Sequence, residues 1–324
     1  PSSAVGYILR GMARTARKEF ADADADLKKA LELAPQSSAP YSRMGALRAA
    51  QKRFPEAEKY YEQALARDPN VVEALQGLLA VYAGERQLAK AIPRVLAQTR
   101  KSPENSEYQV ILGGLYLGSK QLDKAEGAFE KAVELNPHNL DAYYLLAQAQ
   151  KGRGAKEEAL ATYERALKAA PASARTHVLL GALESERGNW QRAEELYRKA
   201  IQLNPDNPLA VNNLAYLLLE HGGNVDYALS LAQEARQKMP EASFTADTLG
   251  WAYYQKGNTG LAIGLLEEAV KKAPRNATYL YHLGLAHQKA GNLSRAKSLL
   301  EQALKLDPQS PHAEEIRSAL SDLE

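Results

Sequence analysis

The sequence predicts an all-α fold, a solenoid of antiparallel helix pairs stacked one on the next. Three observations carry this. Prolines recur at Pro35, Pro69, Pro103, Pro137, Pro171, Pro205, Pro240, Pro274 and Pro308, spaced by 34 residues except for one gap of 35. Alanine stands twelve residues before each of them, from Ala23 and Ala57 to Ala262 and Ala296, and five residues before all but one, where Gln98 replaces it. Between prolines the apolar residues fall at helical spacing in two segments, as in Tyr143, Leu146 and Ala147 followed by Ala159, Tyr163 and Ala166. A fixed period of this length marks a repeat architecture.

Each unit divides in the same way. A first helix carries a small residue beside a leucine, as at Leu112-Gly113, Leu180-Gly181, Leu249-Gly250 and Leu283-Gly284, so that its partner can approach closely. A glycine turn follows, often Gly-Asn, as at Gly188-Asn189, Gly257-Asn258 and Gly291-Asn292. Glycine accepts the left-handed conformation that stops a helix. The second helix presents its alanines with a larger residue between them: Leu27, Tyr61, Phe129, Tyr163, Tyr197, Leu266 or Leu300. Proline then ends it, because it cannot continue the hydrogen-bond ladder and drives its predecessor out of the α region.

The units run 4–37, 38–71, 72–105, 106–139, 140–173, 174–207, 208–242, 243–276 and 277–310. The seventh is longer by one residue, accommodated in its Gly222-Gly223-Asn224 turn. One hairpin cannot bury its apolar faces alone, whereas stacked hairpins share a continuous core. The 324 residues are therefore expected to form one elongated domain. The third unit departs most: Leu79 stands where Gly or Ala is usual, Gln98 replaces alanine, and Pro93 should kink the second helix or delay its start. Residues 311–324 read as a final capping helix with Ser310 as N-cap, Pro311 at its first position and Ala313, Ile316, Leu320 and Leu323 on one face. No such cap precedes residue 4, and the natural chain is expected to extend further in that direction.

The pattern resembles the tetratricopeptide repeat (TPR), W-x2-L-G-x2-Y followed by A, F, A and P. Leu112-Gly113-Gly114-Leu115-Tyr116 and Leu249-Gly250-Trp251-Ala252-Tyr253 carry it most clearly, and residues 4–310 follow it. The resemblance implies a right-handed superhelical solenoid and a bacterial-type interaction scaffold whose first helices line a concave groove.

Composition narrows the function. Apolar residues make up 45% and charged residues 25%, as in folded proteins. The net charge is +2 with the signs mixed throughout: residues 1–170 carry 25 basic and 21 acidic side chains, and the remainder carry 16 and 18. Neither half has the one-sided positive field of a nucleic-acid binder. The longest apolar cluster, Leu214 to Leu219, is too short to insert in a membrane. With no cysteine, disulfides, thiolate catalysis and Cys-based zinc sites are excluded. That fits a reducing cytoplasm or a bacterial envelope, with the envelope favoured. The chain opens at Pro1 without Met, so the absence of a signal peptide decides nothing. No phosphate loop or H-E-x-x-H motif occurs. The six histidines are scattered, and His282 and His287 do not share a helix face. No enzyme activity, cofactor or metal is expected.

The first helices contain one further pattern. Their core stripe occupies unit positions 4, 7, 8 and 11, and a second stripe at 2, 5, 9 and 12 lies roughly 130° around the helix. That stripe is small or mixed in early units, as in Ala39, Ser42, Ala46 and Ala49. In units seven to nine it becomes Asn212, Tyr216 and Leu219, then Phe244, Asp247, Trp251 and Tyr254, then Tyr281 and Leu285. Aromatic residues outside a core are favoured interface anchors. A partner peptide or helix is therefore expected across units seven to nine, with Trp251 outside the core and with Asn212, Asn213 and Asp247 bonding the ligand backbone. The alternative is that the capping helix covers Tyr281 and Leu285. Trp190 occupies the turn position of Phe20, Phe54, Leu88 and Leu122 and is read as structural.

Some relatives implied by the resemblance grip chaperone tails with a basic clamp. Asn213 matches its central asparagine, but Val178, Ala182, Phe244 and Thr248 occupy the flanking positions, so this mode is not expected. Two further readings stand beside peptide binding: self-assembly into a homo-oligomer through the N-terminal edge, where Val5, Ile8 and Met12 share a stripe, and a targeting arm of a larger protein.

Overall fold

The computed structural model describes residues 3–323. Among these there are nineteen α-helices, one short 3-10 turn and no strand. The chain forms two compact units, residues 1–169 and 170–324.

The first unit holds α1 (Ala4–Ala16), α2 (Phe20–Leu33), α3 (Ser38–Ala50), α4 (Phe54–Arg67), α5 (Val72–Gly84), α6 (Ala91–Lys101), α7 (Ser106–Gly118), α8 (Leu122–Leu135), α9 (Leu140–Gly152) and α10 (Lys156–Ala169). Consecutive helices pack as hairpins, and each hairpin packs on the next. Ser3, Ser37, Asn105 and Asn139 cap first helices by accepting from backbone N–H groups that have no partner within the helix. At the other end of the repeat, the residue before the proline is driven out of the α region: Ala34, Asp68, Ser102 and Asn136 have φ of −142°, −136°, −135° and −139° with positive ψ.

The small residue in each first helix is explained by contact across the hairpin. A Cβ added at Gly113 would lie 2.5 Å from Phe129 Cε1, so α7 and α8 approach as closely as they do only because that side chain is missing. In the third hairpin Leu79 fills the corresponding place, and α5 touches α6 sparsely. Pro93 has the expected effect. A 3-10 turn at Leu88–Lys90 precedes α6, which starts at Ala91 instead of at the turn position used by the other second helices. Gln98, in place of alanine, is fully buried; its Nε2 donates to Pro69 O at 2.5 Å and its Oε1 accepts from Arg94.

The turns correct one expectation. The left-handed residue falls at the same repeat position throughout, but in the early turns it is Lys18, Lys52, Arg86 and Lys120, with φ of 64°, 60°, 60° and 58°. Glycine takes it only from Gly154 onward. The turn geometry is imposed by the packing of its two helices, even on residues that pay for it.

The second unit holds α11 (Ala174–Glu186), α12 (Trp190–Leu203), α13 (Pro208–Glu220), α14 (Val225–Lys238), α15 (Ser243–Gln255), α16 (Thr259–Lys272), α17 (Ala277–Lys289), α18 (Leu293–Leu306) and α19 (Ala313–Ser321). Its cores centre on Leu214, Ala215, Leu231 and Ala252, and on Leu266, Leu283, Leu300 and Ile316. Helix α19 closes over α18 with Ala313, Ile316 and Ala319 buried and Leu320 and Leu323 packed against the same cluster. Its start differs from expectation. His312 is the N-cap residue, Pro311 lies in the preceding turn, and the buried Ser310 Oγ has no hydrogen-bond partner. No helix among the described residues is long and apolar enough to cross a membrane.

Candidate functional site

Within the second unit, one face of α13 and one of α15 border a cavity of about 710 Å³. Asn212, Tyr216 and Glu220 follow at intervals of four along α13, so they share a face. On α15, Asp247 and Thr248 stand three and four residues after Phe244, so all three share a face. Tyr279 on α17, Trp190 on α12, Ser185 on α11, and His312 with Glu315 at the start of α19 also line it.

The structure thus brings together five of the expected residues: Asn212, Asn213, Tyr216, Phe244 and Asp247 all line the cavity. Phe244, Tyr216 and Asn213 are half-buried, while Asn212 is only 4% exposed and its Oδ1 accepts no hydrogen bond from the protein. Burial, with Glu220 nearby, raises the Tyr216 phenol far above its ordinary pKa, so it enters the site as a neutral hydroxyl.

Trp251, Tyr254 and Tyr281 do not line it. Trp251 was expected outside the core, yet it is 7% exposed and belongs to the core cluster. The reason is His282 on α17, whose imidazole lies parallel to the indole with centroids 4.2 Å apart and planes at 12°. Tyr254 also stacks on the indole, at 4.7 Å, and carries Lys289 Nζ 4.6 Å from its own ring centroid. Tyr281 is covered by the C-terminal segment, the alternative noted from the sequence. It stacks on His312 at 4.6 Å, and its hydroxyl donates to Glu315 at 3.1 Å. Burial and that carboxylate push its phenol well above the usual value.

Sequence reasoning missed the histidines. His282 is fully buried; its Nδ1–H donates to Asp247 Oδ1 at 2.9 Å, and its Nε2 stands 3.9 Å from Glu220 Oε1. Asp247 therefore has one oxygen committed to the protein and is not wholly available to a ligand backbone. His312 spans Glu220 at 3.5 Å and Glu315 at 3.1 Å. These contacts tie α13, α15, α17 and α19 together through side chains. One signal in the sequence would have found the first pair: residues 35 apart lie about one repeat apart, and polar Asp247 and His282 both sit beside core positions. Trp190, read as structural, is 36% exposed at the rim and stacks on His221 at 3.8 Å. Among the described residues, no three His, Asp or Glu side chains are placed to hold a metal ion.

Three comparisons bear on identity. Residues 14–80, 48–115, 116–183 and 248–314 match family profiles described as tetratricopeptide repeat, and residues 183–222 match one described as TPR repeat. No curated protein matches the chain. Among solved structures, the chain is similar to one in the crystal structure of the APC/C hetero-tetramer Cut9-Hcn1, with a TM-score of 0.62 and 18% identity over 93% of this chain and 59% of that one. It thus spans about three fifths of that protein's length. It is also similar to a tetratricopeptide repeat protein from Parabacteroides merdae, with a TM-score of 0.58 and 20% identity over 78% of this chain and 98% of that one. A third likeness is to Pseudomonas aeruginosa pilF, with a TM-score of 0.53 and 20% identity over 66% and 96% of the two chains. At these identities the likeness is one of fold.

Proposed function

Since the chain belongs to the tetratricopeptide repeat family, whose members generally act as non-catalytic scaffolds for protein–protein contacts, we propose that it binds a segment of a partner protein in the cavity bordered by α13 and α15. The observation that carries this reading is the pairing of aromatic surface, from Phe244 and Tyr216, with the partnerless Oδ1 of Asn212 in one cavity. Aromatic anchors supply apolar contact at low entropic cost, and a buried acceptor rewards any donor that reaches it. Trp251, Tyr254 and Tyr281 act behind this face by holding α15 and α17 in position.

The test is affinity capture with wild type and Phe244→Ala side by side, followed by cross-link mapping of whatever wild type retains. Phe244 is half-buried, so the variant is expected to keep its helical circular dichroism and cooperative melt. A partner lost from the folded variant and cross-linked to α13 or α15 supports the reading. The same partners on both proteins, cross-linked elsewhere, would remove it.

A second reading rests on α1. Val5 is 64% and Leu9 61% exposed, and Met12 and Ala13 continue the same surface, with Ile8 turned half inward. An apolar stripe of this kind fits self-association through α1. Light scattering on wild type and Leu9→Glu separates the two readings. A mass that rises with concentration and falls in the variant favours self-association.

A further inference from the structure

Across the second unit, carboxylates outside the cavity are commonly matched by lysine or arginine. Glu268 accepts from Arg236 and Lys272, Glu241 from Lys272, and Asp226 from Lys256. The cavity is different. Glu220, Asp247 and Glu315 line it, and no lysine or arginine is among its described lining residues. Glu220, Asp247 and Glu315 meet imidazole nitrogens instead. His221, at the rim, is held below its ordinary pKa chiefly by burial and so brings no full positive charge at neutral pH.

Two independent features agree with that charge. Asn212, nine-tenths buried and lining the cavity, presents an acceptor oxygen that no protein donor reaches. Trp190, Tyr216, Phe244 and Tyr279 line the same space, and aromatic ring faces attract cations. Carboxylates, an unpaired amide oxygen and aromatic rings are all groups that call for donors and positive charge.

We propose that the occupant is a partner segment bearing lysine or arginine side chains, with an ammonium or guanidinium group directed to Glu220 and Glu315 and an N–H donated to Asn212 Oδ1. This rests on the reading that the cavity is the binding face and adds the chemistry of the ligand. An acidic tail would set carboxylate against carboxylate inside a confined space, where like charges are least screened.

The experiment titrates the full chain, by fluorescence anisotropy, with three labelled peptides of equal length. They carry lysine and arginine, glutamine, or glutamate at the same positions and are otherwise identical. The basic peptide should bind at least about tenfold tighter than the glutamine peptide, and the glutamate peptide weakest. Glu220→Gln combined with Glu315→Gln should weaken the basic peptide by about tenfold or more and leave the glutamine peptide unchanged. Glutamine keeps an acceptor for the Tyr281 hydroxyl, so the fold is retained, which the melt checks. Glu301→Gln, an exposed change on α18, should do nothing. Equal affinity for the three peptides, indifference to the double variant, an equal effect of Glu301→Gln, or no binding of the basic peptide would each overturn the proposal. Phe244→Ala separates the two readings: glutamine-peptide binding that it abolishes keeps the cavity as the binding face while the charge assignment falls. If no peptide responds to Phe244→Ala, the cavity reading falls as well.

Discussion

His282 on α17 donates through Nδ1 to Asp247 on α15 at 2.9 Å, and both side chains are buried. The pair joins consecutive hairpins at the base of the cavity, beneath Tyr216 and beside Trp251. A buried polar pair of this kind is favourable only while both members are present.

Asp247→Ala should therefore destabilise the chain by about 1–3 kcal/mol, because the imidazole N–H is left buried without an acceptor. Asp247→Asn keeps an acceptor and should cost less. Denaturant unfolding followed by circular dichroism compares them. Equal costs for the two variants would show that the hydrogen bond is not what the site supplies.

Trp251→Ala should cost about 3–5 kcal/mol, the loss expected for a large aromatic residue removed from a core. Its ring stacks with His282 and Tyr254, contacts that alanine cannot make. A melt unchanged from wild type would return Trp251 to the surface role expected from the sequence.

The left-handed turns make a prediction of opposite sign at two sites. Lys52 adopts φ 60°, so Lys52→Gly should stabilise by about 0.5–1 kcal/mol, the relief of the left-handed penalty less the greater freedom of glycine in the unfolded chain. Gly257, at φ 79°, has open space around a Cβ, so Gly257→Ala should destabilise through backbone conformation alone. Thermal melts of both variants check this, and shifts of the same sign would contradict it.

Acid sensitivity should reside partly in the first hairpin. Asp26 accepts from Arg10 and Arg14, and its carboxyl is held below the usual value of 3.8, chiefly by the Arg10 hydrogen bond. Above that value the residue is ionised in both folded and unfolded chains, and its contribution is complete. As pH falls further the unfolded chain takes up the proton first, so stability drops with pH until the folded carboxyl is protonated as well. Hydrogen exchange of α1 and α2 between about pH 5 and pH 2 should show this loss, and Asp26→Asn should flatten it. An unaltered pH profile in the variant would assign the acid sensitivity elsewhere.

Much of the local structure was legible because it is local. The proline period and the alanines act within a few residues of where they stand, and each has one structural answer. Pro93 is the clearest case: a missing N–H delays a helix wherever that helix is packed. Asn212, Tyr216, Phe244 and Asp247 were legible for the same reason, since helical periodicity alone puts them on a shared face. What failed was the assumption that every member of the stripe looks outward. Trp251 follows Phe244 and Asp247 in register, yet α17 brings His282 across it. Whether a helical face meets solvent depends on the neighbouring helix, which periodicity does not describe.

The sequence by itself determined the all-helical repeat architecture and which residues form the second stripe of each first helix. Those follow from hydrogen-bond geometry and spacing along one chain segment. Only the tertiary structure decided that Trp251 and Tyr281 lie behind the cavity, that Glu220, His312 and Glu315 line it while His282 holds Asp247, and that Lys52 must turn left-handed. Each of these depends on groups about a repeat or more apart in the chain, or on helices that meet at a fixed distance. Packing brings such groups together and sets their cost, and no local pattern encodes it.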